Sequence, residues 1–228
     1  MKEINIQAIL WDLDGTLVST ADLHFRASQT TLIKYGYHIE RPVFDASFGM
    51  SDYTILGNAA PDMEDTSFQA MVAEKNALYR ALLQQDELLP LPGVVSWLEF
   101  FKQRGLRQVI ASTTFEENIR TITARLEIAS YFEGIISTIK LNLPSKPHPH
   151  VFLKAAEFLN LAPQNCLVIE DAPAGIEAAR RAGMLCLAVG TSNPLPKLAA
   201  ASLVVASLDI LQVEQIEQLL NLPASAAL

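Results

Sequence analysis

From Trp97 onward the chain alternates short β-prone runs with helical patterns, and this alternation restricts the fold more than any other feature. The order is RQVIA, EENIRTITARLEI, GIIST, VFLKAAEFL, CLVIE, AGIEAARRAG and LCLAV. A parallel strand needs a crossover long enough to return to the same end of the sheet, and a helix supplies it. The pattern therefore predicts repeated βα units and an α/β fold around a parallel sheet. With QAILW as the first strand, five to six strands are expected. Continuous apolar runs such as LVI and LCLAV suit strands covered by helices on both faces. Gly105 and Gly183 mark the ends of helices that begin near Val94 and Ala174.

Residues from about Val18 to Pro90 break this alternation. They lack strand-like runs and place Phe68, Met71, Val72, Lys75, Tyr79 and Leu82 along one helical face. The stretch reads as a helical insertion between the first strand and the rest of the sheet, with Pro90, Pro92 and Gly93 punctuating the return. A chain of 228 residues can bury such a core together with a smaller inserted unit. The tail after Pro223 is expected to fray.

Composition narrows the partners. Half of the residues are hydrophobic, yet no apolar run approaches the roughly 18 residues of a membrane span, so a soluble protein is expected. The first hydrophobic segment runs straight into Asp12 and Asp14 rather than into a small-residue cleavage site, and cytoplasmic residence is the default expectation. A formal net charge of -8 without a Lys/Arg run argues against nucleic acid. A small anionic substrate would have to be held locally, by a metal ion, a lysine and backbone N–H groups. Cys166 and Cys186 sit inside apolar stretches and read as small buried hydrophobes. A monomer or weak dimer is expected.

The sharpest chemical signal is Asp12-Leu13-Asp14-Gly15-Thr16, placed directly after the first strand, where open α/β sheets bind ligands. Residues two apart on an extended chain project to the same side, so both carboxylates enter one site. Gly15 permits a turn, and Thr16 adds a hydroxyl and an N–H for an oxyanion. The segment Ile110-Ala111-Ser112-Thr113-Thr114 ends another strand, so Ser112 can offer a hydroxyl, and its neighbours backbone N–H groups, to a phosphoryl oxygen. Glu170 and Asp171 are adjacent acids at the end of a buried strand, costly there without a cation or hydrogen bonds. A hard divalent ion such as Mg²⁺ suits one or two carboxylates, waters and a substrate phosphate. Lys146 supplies a point charge able to bridge a nucleophile and a transferring phosphoryl group.

The ordered set Asp12-x-Asp14-Gly15-Thr16, Ser112, Lys146 and Glu170-Asp171 resembles the four motifs of the haloacid dehalogenase-like superfamily. Leu91-Pro92-Gly93, Lys146-Pro147-x-Pro149 and the run from Glu170 to Ile176 resemble its branch of β-phosphoglucomutase and sugar-phosphate phosphatases. That resemblance implies a Rossmann-like core over residues 1–17 and 91–228 and a helical, specificity-determining cap over 18–90. It further implies that Asp12 attacks phosphorus and that Asp14 protonates the leaving oxygen and then activates water. The metal-binding residues expected for Mg²⁺ are Asp12, Asp14 through its backbone carbonyl, Glu170 and Asp171.

Thr20 and His24 resemble the mutase pattern that couples cap closure to the second aspartate, although His24 also reads as an ordinary, partly exposed helix histidine. His150 stands where the family often places an aspartate as helix N-cap, a loss of about 1 kcal/mol without chemical consequence. The mutases carry an arginine in a Gly-x-Ser-Arg stretch that grips the distal phosphate. The corresponding stretch here is Gly49-Met50-Ser51-Asp52, and an aspartate would repel that phosphate. Arg41, Lys75 and Asn76 are the other polar cap candidates, Lys75 and Asn76 resembling mutase residues, with a solvated surface position expected for each.

The expected activity is accordingly a Mg²⁺-dependent phosphatase acting on a small phosphorylated metabolite. The alternatives are a hexose-phosphate mutase and a catalytically idle binding protein on the same scaffold, against which the intact motifs argue. A dehalogenase would not need the proton donor that Asp14 supplies.

Overall fold

A computed structural model describes residues 5–220, so the tail after Pro223 lies outside the described residues. Six strands form one parallel sheet: β1 (Ala8–Trp11), β2 (Arg107–Ser112), β3 (Gly134–Ser137), β4 (Cys166–Glu170), β5 (Leu185–Val189) and β6 (Leu203–Val205). Their spatial order is β3-β2-β1-β4-β5-β6. β1 is thus central, flanked by β2 and β4, with Trp11 level with Ile110 and Ile169. The order reverses on either side of β1, which opens a crevice beyond its carboxyl end. β6 completes the upper limit of the expected strand count. Its LVV is too short for periodicity to mark it from sequence.

Alternation along the central strands sorts side chains into two apolar layers. Ile9 and Trp11 of β1 and Leu167 and Ile169 of β4 pack with α5 (Val94–Gln103), α6 (Glu116–Arg125) and α9 (Val213–Leu220). Ala8, Leu10, Cys166 and Val168 pack on the other face with α7 (His150–Phe158) and α8 (Pro173–Arg181). Both cysteines are buried and unbridged, as expected. Helix α8 carries Pro at its first position, where no N–H is needed, and Arg180 and Arg181 in its last turn, where they oppose the helix dipole. Gly183 follows it with φ 72°. Helix α7 opens at His150 itself, with Pro149 at the N-cap position and no side-chain cap, so the capping position expected at His150 falls one residue earlier.

The helical insertion contributes α1 (Ala21–Lys34), α2 (Arg41–Ser47), α3 (Asp52–Ala59) and α4 (Asp65–Gln85). Helices α1 and α4 pack together, and Leu32, Phe44, Leu56, Met71 and Val72 form a separate apolar cluster. The insertion is not isolated from the core: Leu23, Ala27, Tyr79 and Leu83 join the sheet's first layer. It sits over the carboxyl ends of the strands, where Thr113 Oγ1 donates to the Gly49 carbonyl at 3.2 Å. None of the described helices is long and apolar enough to cross a membrane.

Candidate active site

Asp12 continues the alternation of Ala8 and Leu10 past the end of β1, and its backbone N–H still bonds the Ile169 carbonyl at 3.0 Å. The chain then turns. Gly15 has φ 90°, and a side chain there would run into Asp171 and Ser192. Its N–H donates to the Val18 carbonyl at 2.7 Å and its carbonyl accepts from the Thr191 hydroxyl, so the part of Gly15 is conformational. Thr16 is buried, and its hydroxyl has no protein partner.

Lys146 reaches across from the loop before α7. It is 4% exposed and its Nζ donates both to Asp12 Oδ1 and to Glu170 Oε1, the latter at 2.7 Å. The second oxygen of Glu170 accepts the N–H groups of Asp171 and Ala172 at 2.8 and 2.9 Å. Glu170 is therefore fully engaged, an anchor for Lys146 and for the turn into α8. Gly175 is required beside it, because any Cβ would overlap the Glu170 carboxylate. Asp171 differs: it is buried, and its Oδ2 has no protein partner.

Asp12, Glu170 and Asp171 each present an oxygen within 4.8 Å of the others. Three buried carboxylates face one ammonium. Burial, reinforced by Glu170 and Asp14 and only partly opposed by Lys146, pushes the Asp12 carboxyl up to about 8. Burial, with Glu170 and Asp12 beside it, also drives Asp171 well above the ordinary range. Burial alone would lower the Lys146 pKa, but Asp12 and Glu170 outweigh it and keep the ammonium charged. The uncompensated charge and the orphaned Asp171 oxygen fit a hard divalent cation, for which oxygen donors are the right chemistry.

Asp14 lies in a different environment. Its Oδ1 accepts the Thr20 hydroxyl at 2.5 Å and faces His24 Nε2 at 3.5 Å. Burial works to raise its pKa, but His24, Thr20 and Thr114 outweigh it and hold the carboxyl below its usual value. Two carboxylates two residues apart thus sit in different surroundings, Asp12 against Lys146 and the carboxylate cluster and Asp14 against Thr20 and His24. Thr20 and His24 reach Asp14 from the start of the insertion, and His24 is a buried residue stacked on Tyr79 with ring centroids 3.9 Å apart.

The surface placement expected for Lys75 and Asn76 is overturned. Lys75 is 0% exposed; its Nζ meets Asp52 Oδ1 at 2.5 Å and His24 Nδ1 at 2.8 Å. Asn76 donates to the other Asp52 oxygen at 2.9 Å and accepts from Asn118 of α6 at 2.8 Å. Lys75 and Asn76 thus lie on the buried face of α4 with Met71, Val72 and Tyr79, where Asp52 supplies the counter-charge. An ammonium has only donors, so His24 Nδ1 accepts and the ring proton sits on Nε2, toward Asp14. Burial would raise the Asp52 pKa, but Lys75 and His24 hold it below the usual range. Arg41 is half-exposed and paired with Asp22 and Asp45, at 2.5 and 2.7 Å.

Ser112 ends β2 beside Asp12, and its Oγ accepts the Thr114 N–H at 3.1 Å while keeping a hydroxyl proton to donate. Thr113 bridges to Gly49, and Thr113 and Thr114 line the enclosed cleft with Asp12, Asp14, His24, Phe48, Met50, Asp52 and Ile55. Thr191 and Asn193 escaped sequence reasoning. Asn193 Nδ2 donates to the Asp171 carbonyl at 3.1 Å. They directly follow β5, and the rule that sites gather beyond strand ends could have found them.

Fold and site together define an α/β protein with an acidic, lysine-bridged centre under a helical insertion. The chain matches the haloacid dehalogenase-like hydrolase model over residues 6–183 and belongs to that family. Within it, the chain falls in the branch of β-phosphoglucomutases and sugar-phosphate phosphatases. Beta-phosphoglucomutase of Bacillus subtilis is 31% identical over 83% of this chain and 86% of its own. Fructose-1-phosphate phosphatase YqaB of Escherichia coli is 32% identical over 77% of this chain and 92% of its own. The crystal structure of beta-phosphoglucomutase from Clostridium difficile superposes with a TM-score of 0.85 at 32% identity, covering 95% of this chain and 97% of that one.

Proposed function

We propose that the chain is a Mg²⁺-dependent phosphatase that hydrolyses a small phosphate monoester through a phosphorylated Asp12. Residues 1–17 and 91–228 are the catalytic core and 18–90 the cap. The observation that carries this reading is the opposite treatment of Asp12 and Asp14: one sits against Lys146 and the carboxylate cluster, the other against Thr20 and His24.

Asp12, Asp171 and the Asp14 carbonyl would hold Mg²⁺, which when bound supplies charge neutralisation at the phosphoryl oxygens and keeps Asp12 ionised. The carboxylate of Asp12 attacks phosphorus, the ester P–O bond breaks, and Asp14 gives its proton to the leaving oxygen. Asp14, now the carboxylate, takes a proton from the water that attacks the aspartyl phosphate, and inorganic phosphate leaves. In the free site Asp14 is held as that carboxylate. An arriving phosphate adds like charge and favours the acid form needed for the first step. Lys146, the Ser112 hydroxyl and the Thr113 N–H would receive charge on the transferring group, and the site as a whole must lower the barrier by roughly 20 kcal/mol.

Hydrolysis is favoured over mutase activity by the state of the cap. A mutase must hold the non-reacting phosphate of a bisphosphate, and this takes an available cation. Lys75 is committed to Asp52 and His24, and Arg41 to surface carboxylates. The rest of the cleft wall offers Phe48, Met50 and Ile55. The Asp52 carboxylate is compensated by Lys75, so the expected repulsion is weaker than for a bare aspartate; what counts is that, among the described residues lining the cleft, none is an unpaired lysine or arginine. The test is phosphate release from a panel of sugar and polyol phosphates with Mg²⁺, alongside interconversion of β-glucose 1-phosphate and glucose 6-phosphate. Interconversion without phosphate release would reverse the assignment.

A further inference from the structure

We propose that the loop after β5, residues 190–194, is a brace that holds the cation-binding ends of β1 and β4 together, with Thr191 and Asn193 as positioning residues that set the affinity for Mg²⁺. The inference rests on the metal centre of the reading above and adds to it two side chains that act through backbone carbonyls. The expected ligands stand on separate strands: Asp12 and the Asp14 carbonyl follow β1, and Asp171 follows β4. Their separation therefore depends on how each chain turns after its strand. The ladder between β1 and β4 runs as far as the Asp12 N–H and the Ile169 carbonyl. Beyond it, the Thr191 hydroxyl donates to the Gly15 carbonyl and Asn193 Nδ2 donates to the Asp171 carbonyl at 3.1 Å. One short segment thus ties both turns.

Each bond falls where rotation would displace a ligand. The Gly15 N–H donates to the Val18 carbonyl at 2.7 Å, and across the planar trans peptide this aims the Asp14 carbonyl the opposite way. Gly15, with φ 90° and no side chain, is the residue of that turn freest to rotate, and Thr191 holds its following peptide. Asp171 is fixed from both flanks, its N–H on Glu170 Oε2 at 2.8 Å and its carbonyl on Asn193. With both peptides held, the Cα–Cβ bond of Asp171 has a set direction, and its unpartnered Oδ2 stays against Gly15, where any Cβ would overlap it.

The brace is itself anchored at both ends. The Gly190 N–H donates to the Val205 carbonyl of β6 at 2.9 Å, and Pro194 leads into a short helical turn, Leu195–Leu198, that buries Leu198. Thr191 is exposed and Asn193 half-buried, so neither fills the apolar layers. Groups that orient metal ligands without touching the ion set its affinity, because a ligand free to swing must be ordered again when the ion binds. A loop that only stabilised the fold would change the melting temperature and leave the affinity for Mg²⁺ alone.

The test is calorimetric titration of MgCl₂ into the full chain after removal of metal with EDTA, alongside the kinetics of p-nitrophenyl phosphate hydrolysis. Thr191→Val, which keeps the shape of an exposed side chain, and Asn193→Ala are each expected to raise the Mg²⁺ dissociation constant about two- to tenfold, as for one lost hydrogen bond. The double variant should raise it about 10- to 100-fold. Thr191→Ser keeps the hydroxyl and should bind as the wild type does. At saturating Mg²⁺ every variant should recover kcat to within about twofold of wild type, since only binding of the ion was weakened. If Asn193→Ala does not fold, Thr191→Val and Thr191→Ser decide the question. Unchanged Mg²⁺ constants, a loss of kcat that saturating Mg²⁺ does not restore, or Thr191→Ser binding as weakly as Thr191→Val would each overturn the inference, as would a wild type that binds no Mg²⁺. A wild type that binds Mg²⁺ but hydrolyses no phosphate ester fails the phosphatase reading, and the binding constants of the variants still decide the brace.

Discussion

Removing Lys75 should destabilise the protein through Asp52 rather than through lost packing. In Lys75→Met the side-chain volume is nearly kept, but the Asp52 carboxylate, 8% exposed, is left with Asn76 as its hydrogen-bond donor. Breaking a buried pair in this way costs about 3–5 kcal/mol. For a chain of this size that lowers the melting temperature by about 6–20 °C. Asp52→Asn should cost a similar amount, because it strands an ammonium against His24. The double variant Asp52→Asn/Lys75→Met removes both charges and should recover part of the loss, with a coupling energy of about 2–3 kcal/mol. Urea unfolding of the four proteins at neutral pH measures the cycle. Acid adds a sign check. Asp52 is held below its ordinary value of 3.8, so its contribution is present above that value and is lost as pH falls through the folded pKa. Asp52→Asn should flatten that acid limb. Single costs that simply add, to within about 0.5 kcal/mol, would refute the view of Asp52 and Lys75 as one buried unit.

Asp12→Asn should abolish both turnover and trapping of labelled phosphate on the chain, whereas Asp14→Asn should keep the nucleophile and lose about 10²- to 10⁴-fold in kcat; label mapping to another residue would sink the assignment. Lys146→Met should lower kcat at least about 10²-fold and also destabilise the fold, since Glu170 is then buried without its partner; adding Glu170→Gln should restore stability but not activity. In EDTA the melting temperature should fall as pH rises from about 5 toward 8, because Asp12 and Asp171 bind more protons folded than unfolded, and Mg²⁺ should stabilise more at the upper end of that window. A flat EDTA profile with no Mg²⁺ response would remove the carboxylate cluster as a cation site.

Much of this molecule was legible in one dimension because the relevant signals are local. Strand-helix alternation, the glycines after α5 and α8, and acids standing immediately after apolar runs depend on residues within a few positions of one another. They suffice for the sheet, the helical insertion and the placing of Asp12, Asp14, Ser112, Glu170 and Asp171 at strand ends. What each acid does depended on its neighbours in space. Glu170 and Asp171 are adjacent in sequence, yet one is saturated by Lys146 and two backbone N–H groups while the other keeps an unpartnered oxygen. The largest surprise was the cap. On sequence alone Lys75 shares the apolar face of its helix, yet it and Asn76 read as solvated because burying an ammonium or an amide without a partner is costly. Only when α3 packs against α4 does Asp52, 23 residues away, come within hydrogen-bond distance of Lys75 and make burial of that ammonium tolerable. Desolvation and its compensation are set by partners distant along the chain, and those partners are decided by the tertiary fold.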